Sequence, residues 1–184
     1  APSGAAGAAP YVPQPGRTQV ALRIQATTLN PDGKQDVAGV TANGVFPGPE
    51  IRVRRGDQFR ARLENALAKE PTSIHWHGLL VPAAMDGVPD VSNAPIRPAR
   101  EQIAEFPIVQ SGTYWYHSHF GLQEQIGLAG AFIIEEPGAP AERDAVVMLS
   151  DWLHQSPYAV LAELRRGNPA AGSGKRASSA PAAG

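Results

Sequence analysis

The sequence contains no cysteine among its 184 residues, and this absence excludes several kinds of chemistry. Without a thiolate, the chain can form neither a disulfide bond nor a zinc–cysteine site. It also cannot build a blue copper centre, because that centre needs a cysteine sulfur as a ligand. Any metal site in this chain must therefore use ligands other than cysteine.

An excess of charge of one sign and long hydrophobic runs are also lacking. The formal net charge is −1, so the chain has no broad basic field of the kind that binds nucleic acid. No stretch approaches the roughly 20 continuous apolar residues that span a bilayer. The first residues do not show the charged and then apolar segments of a signal peptide. These features predict no nucleic-acid partner and no membrane span.

The composition fits a globular domain that is rich in turns. Hydrophobic residues make up 42% of the chain and charged residues 18%, which is enough apolar side chain for a core. The 19 glycines and 18 prolines are scattered between short apolar runs, a pattern typical of many turns rather than long helices. The first expectation is therefore an all-β architecture.

The two ends of the chain differ in composition from the middle. Residues 1–16 and 168–184 are mostly small and polar, so a flexible leader and a flexible tail or linker are expected there. The domain itself is predicted over residues 17–167. Near its end, Pro157 suits the first turn of a helix and Gly167 suits its end, which predicts one short C-terminal helix.

Alternation of apolar and polar residues predicts a series of short strands. Two such runs, residues 51–54 and 59–63, flank a Gly-Asp turn and are predicted to form a β-hairpin. Another strand is expected at residues 145–149. The Pro-rich segment 82–98 shows no periodicity; long loops are often functional, and this one follows closely on a histidine pair, so it is expected to lie near a site.

Four of the five histidines form two His-X-His pairs, His75-Trp76-His77 and His117-Ser118-His119. In a strand, residues i and i+2 point to the same face, so each pair presents two imidazoles in one direction. Neutral imidazole binds copper, zinc, iron and nickel, which predicts a metal site but leaves the metal open. A zinc hydrolase is an alternative, although such sites commonly add a carboxylate or cysteine ligand. The isolated His154 is expected to be structural or exposed.

These motifs resemble those of the multicopper oxidases, especially the periplasmic copper-resistance oxidases of the CopA type. The resemblance extends over about Arg17 to Gly167 and is carried by four segments in the family's order. They are NGVFPGP at residues 43–49, SIHWHGLL at 73–80, MDGVP at 85–89 and GTYWYHSH at 112–119.

The resemblance implies a cupredoxin-like Greek-key β-sandwich and a role for each histidine. It assigns His75 to a type 2 copper, His77 and His117 to one type 3 copper, and His119 to the other. It also implies that Asp86 lies near the type 2 copper and helps to deliver protons, whereas the simpler interpretation of Asp86 is a turn residue. The aromatic residues around the ligands are expected in the core: Trp76, Tyr114, Trp115 and Tyr116.

In function, the resemblance implies the N-terminal domain of a multicopper oxidase, an oxidoreductase. The domain would supply half of the histidines of the type 2/type 3 trinuclear copper site that reduces O2 to water, and the remaining domains would be its partners. Alone it is expected to be inactive, because it has no type 1 copper. The alternative is a stand-alone or homo-oligomeric copper-sequestering domain without oxidase activity. The resemblance further implies a role in copper resistance and a periplasmic or otherwise exported location.

Overall fold

The structure is a computed structural model in which residues 16–138 and 144–167 are described. These residues belong to two compact units, one that extends to Trp152 and a second that begins at Leu153. Apart from Gly16, the predicted leader lies outside the described residues, as does the predicted tail. The bounds of the domain therefore remain a prediction.

The described part of the first unit contains eight strands in two four-stranded sheets. The strands are β1 (Arg17–Leu29), β2 (Val37–Ala42), β3 (Gly48–Arg54), β4 (Gln58–Asn65), β5 (His75–His77), β6 (Glu101–Pro107), β7 (Gly112–His117) and β8 (Ala129–Glu135). The first sheet has the order β2-β1-β4-β6 and the second the order β3-β8-β7-β5. The β1–β4 and β3–β8 pairs are parallel and the other pairs are antiparallel. This architecture confirms the all-β prediction.

The hairpin predicted from β3 and β4 is wrong, because the two strands belong to different sheets. β3 pairs with β8 in the second sheet, whereas β4 pairs with β1 and β6 in the first. The chain crosses between the sheets at Gly56, which has a φ of +99°. Both strands bury their apolar faces in the same core. Two strands that pair in one sheet and two strands that face each other across a sandwich therefore show the same alternation of apolar and polar residues.

The strand predicted at residues 145–149 is also wrong. Residues 144–152 form no strand, and within them Val147 and Leu149 are 81% and 91% exposed. An alternating pattern stabilises a strand only where a neighbouring strand and a packing surface are available. Among the described residues, this segment has no pairing partner.

The predicted short helix is confirmed in the second unit. Helix α1 (Pro157–Arg165) follows Ser156 at its N-cap position, with a proline in its first turn. Gly167, with a φ of +69°, lies just after the helix, where the left-handed conformation favours glycine. Within the described ranges, no helix combines the length and the apolar character needed to span a membrane.

The core lies between the two sheets and is centred on aromatic rings. Phe59 on β4 is fully buried. Its ring has centroid separations of 5.1 to 5.3 Å from three others: Trp76, Phe106 and Phe132. Trp76 stands between the histidines of the first pair on β5. Because successive strand residues point to opposite faces, burial of Trp76 directs His75 and His77 to the outer face of the second sheet.

Replacement of Phe59 by alanine should lower the free energy of unfolding by about 3–5 kcal/mol, because it leaves a cavity between the sheets. Phe59→Leu should cost less, since it retains much of the buried volume. Urea unfolding followed by circular dichroism measures both. The control Val91→Ala, at a side chain that is 84% exposed, should change stability by less than about 0.5 kcal/mol. Similar stability of Phe59→Ala and Val91→Ala would contradict this account of the core.

Candidate metal centre

The two histidine pairs meet where β5 and β7 lie side by side. Their antiparallel register places His75 opposite His117 and His77 opposite Trp115. All four of these side chains share the outer face of the sheet, because the intervening Trp76 and the adjacent Tyr116 are fully buried in the core. Strand pairing therefore brings together imidazoles that are 40 positions apart in sequence.

Three imidazoles converge closely enough to hold one metal ion. One ring nitrogen from each of His75, His77 and His117 lies within 4.8 Å of the others. His77 Nδ1 and His117 Nε2 are 3.1 Å apart, a separation at which both can bind one ion at about 2.0 Å. An all-imidazole donor set of this kind suits copper.

His119 lies beside this group, but it does not lie on a strand as the His-X-His pattern predicted. β7 ends at His117, so the second pair does not lie within a strand, and His119 lies in the loop that follows. Its ring centroid is 5.5 Å from that of His75 and 5.9 Å from that of His117. All four predicted ligands are therefore neighbours. His154 is exposed, as expected, and belongs to the second unit.

A buried hydrogen-bond network, which no local sequence pattern predicts, supports the loop that carries His119. Gln123 is 1% exposed, and its side-chain oxygen accepts hydrogen bonds from the hydroxyls of Thr72 at 2.7 Å and Ser118 at 2.9 Å. The backbone N–H of His119 donates to the Ser73 hydroxyl at 3.1 Å. Buried polar groups that satisfy one another specify a single arrangement. The network therefore ties the second histidine pair to the residues that precede β5.

Asp86 lies against His75. Its backbone oxygen is 2.9 Å from His75 Nδ1, and its carboxylate Oδ1 is 3.3 Å from the same nitrogen. Asp86 follows a 3₁₀ turn at Ala83–Met85 within the long Pro-rich segment, so that segment does reach the histidines. A proton on Nδ1 that is donated to Asp86 leaves the Nε2 lone pair of His75 free for a metal.

Trp115 packs against the ligands, and its predicted place in the core is wrong. Its ring is stacked on His117 with centroids 4.1 Å apart and lies 4.8 Å from the His77 ring. The physical reason is the period of two along β7, which places Trp115 on the face of His117. Trp76 and Tyr116 are fully buried as predicted, and Tyr114 is partly buried against the core.

His117 is the most enclosed of the four histidines and faces two oxygen atoms through Nδ1. The Ser118 backbone oxygen and Glu124 Oε2 both lie 2.9 Å from this nitrogen. Burial lowers the pKa of His117 below its ordinary value, and the neighbouring His75 and His77 add to this, while Ser118 and Glu124 oppose it. The lowered pKa favours the neutral imidazole, which is the form that binds a metal.

Comparison with known proteins defines the class. A family model described as multicopper oxidase matches residues 23–139. A laccase from Botrytis aclada has a TM-score of 0.71 at 36% identity, with 83% of this chain and 29% of that chain covered. The chain belongs to the multicopper oxidase family, whose members bind copper. The predicted cupredoxin-like sandwich is thereby confirmed.

Individual relatives include proteins named for copper resistance. Copper resistance protein A of Escherichia coli is 47% identical over 152 residues, which cover 81% of this chain and 25% of that protein. A copper resistance protein A homolog of Pseudomonas syringae pv. tomato is 43% identical over 164 residues, with 84% and 28% covered. The chain thus spans about a quarter of the length of these curated relatives.

A methyl group at Gly87 should disturb the contact between Asp86 and His75. Its Cβ would lie 1.8 Å from the backbone oxygen of Ile74, whereas a Cβ at Gly33 would meet no atom within 4 Å. The two glycines have φ values of +75° and +72°, so Gly33→Ala is a matched control for backbone strain. We expect Gly33→Ala to cost about 1 kcal/mol and Gly87→Ala to cost more.

Gly87→Ala should also weaken copper(II) binding, because the loop must shift away from His75. Urea unfolding and copper(II) titration of both variants measure these effects. Equal stability and equal copper affinity of the two variants would argue against tight packing of this loop on the site.

Proposed function

We propose that this chain is the N-terminal domain of a multicopper oxidase and supplies four histidines to a type 2/type 3 trinuclear copper site that reduces O2 to water. The supporting observation is the convergence of three imidazoles on one sheet face, with a fourth beside them. Because the chain spans about a quarter of its relatives' length, the remaining copper ligands are assigned to other domains. Family membership supports copper as the metal.

Each histidine receives a separate role in this proposal. His77 and His117 hold one type 3 copper, which is supported by the 3.1 Å separation of Nδ1 and Nε2. His75 is assigned to the type 2 copper and His119 to the second type 3 copper. The ring centroids of His75 and His119 are 5.5 Å apart, so the two ions assigned to them would be neighbours in one cluster. Bound copper supplies the one-electron steps by which O2 is reduced.

The protein orients these ligands through their other ring nitrogens. Backbone oxygens of Asp86 and Ser118 face Nδ1 of His75 and His117, each at 2.9 Å, and favour presentation of Nε2 to a metal. Trp115 covers one side of the His117 ring and keeps water from it. We assign proton delivery to the Asp86 carboxylate; the assignment is supported by its place beside a proposed ligand, 3.3 Å from His75 Nδ1.

The chain contributes no type 1 copper, since it has no cysteine. Electrons must therefore enter through another part of the oxidase, and the chain alone is not expected to act as an oxidase. We also assign it a role in copper resistance and a periplasmic or otherwise exported location. This assignment rests on the resemblance to CopA-type oxidases and on the names of the similar proteins.

Copper(II) titration of histidine variants tests the ligand assignment. His75→Ala/His77→Ala and His117→Ala/His119→Ala should each weaken binding by more than about tenfold, because even the loss of a ligand's hydrogen-bond partner costs 10- to 100-fold. His154→Ala is the matched control and should bind as the unmodified chain does. Equal affinity across the four proteins would refute the assignment.

Asp86→Asn, in the complete oxidase, should retain copper but slow the reduction of O2. The amide keeps the shape of the side chain but cannot relay a proton, and the defect should grow as pH rises because free protons become scarcer. The test measures copper content and the rate of reoxidation by O2 from about pH 5 to about pH 8. If the variant is reoxidised as fast as the unmodified enzyme throughout this range, Asp86 acts only as a turn residue.

A further inference from the structure

Glu124 contacts a proposed ligand from the side that faces away from the metal. Its Oε2 lies 2.9 Å from Nδ1 of His117, whereas Nε2 of the same ring faces His77. Through this contact Glu124 cannot bind the ion that His117 binds. The carboxylate and the ion would instead occupy opposite ends of one imidazole, so this contact would act on the ion through the ring.

The position of Glu124 is set by the buried network beneath the site. Glu124 is the first residue of the 3₁₀ turn Glu124–Ile126 and directly follows Gln123. The side chain of Gln123 is anchored by Thr72 and Ser118, and its amide group also donates to the backbone oxygen of Pro71 at 2.9 Å. The backbone of Glu124 is therefore held close to His117 independently of the carboxylate.

Orientation of the ring does not require Glu124, because the Ser118 backbone oxygen faces the same nitrogen at the same distance. What Glu124 adds is negative charge. The His117 side chain is only 6% exposed, so water screens this charge weakly on the side of the imidazole. The Glu124 side chain is itself 38% exposed, which limits the size of the effect.

We propose that Glu124 is a positioning residue whose charge acts through His117 and favours copper(II) over copper(I) in the ion held by His77 and His117. A carboxylate beside the N–H of a ligating imidazole raises the basicity of the other nitrogen. The resulting stabilisation is larger for a doubly charged ion than for a singly charged one. The inference rests on the proposed function, since it presupposes that these two histidines bind copper.

The test compares Glu124→Gln with the unmodified chain, since glutamine retains the shape of the side chain and removes its charge. The matched control is Glu101→Gln, which removes an exposed carboxylate from the other sheet, where it pairs with Arg62 at 3.1 Å. Dissociation constants are measured separately for copper(II), for zinc(II) as a redox-inert ion of equal charge, and for copper(I) under anaerobic conditions.

We expect Glu124→Gln to weaken copper(II) and zinc(II) binding by about tenfold, at the lower end of the usual effect of such partners, and to change copper(I) binding clearly less. Glu101→Gln should leave all three constants unchanged. An equal loss for copper(II) and copper(I) would show a purely structural role and overturn the inference, as would no change for any ion. Both of these results leave the proposed function standing, whereas an unmodified chain that binds no copper through its paired histidines overturns both.

Discussion

Burial of Trp76 and Tyr116 between the two sheets is the constraint on which the histidine site depends. The two rings are fully buried with centroids 6.2 Å apart, and the Tyr116 hydroxyl donates to the backbone oxygen of Pro49 at 2.8 Å. Gly130 leaves the space that Tyr116 occupies, since a Cβ there would lie 2.4 Å from the tyrosine ring. A rigid core on one face of β5 and β7 fixes the positions of the residues on the other face.

Two loops add contacts to the histidines that β5 and β7 position. The Pro-rich segment places Asp86 against His75, and the turn after β7 places Glu124 against His117. Each contact lies on the ring nitrogen opposite the one available to a metal, so the loops act on ligand orientation and charge. Gln123 connects the second loop to the core through buried hydrogen bonds. Precise ligand geometry therefore depends on polar contacts outside the ligand set.

The four histidines differ in how far the chain encloses them. His117 is buried and His75 is partly buried, whereas His77 and His119 are exposed. A face that is enclosed on one side and open on the other fits a site completed by residues from elsewhere. This difference agrees with a chain that covers about a quarter of its relatives' length.

The all-β class, the short helix and the two histidine pairs could be predicted from the sequence, because alternation, helix-end residues and His-X-His spacing are local patterns. The separation of β3 and β4 into different sheets could not be predicted in this way and depends on the packed fold, since both strands bury one face in the same core. The absence of a strand at residues 145–149 also depends on the fold, because no neighbouring strand among the described residues pairs with them. The burial of Gln123 and the contact of Glu124 with His117 could not be predicted from the sequence either, because each depends on residues brought together by strand pairing and loop packing.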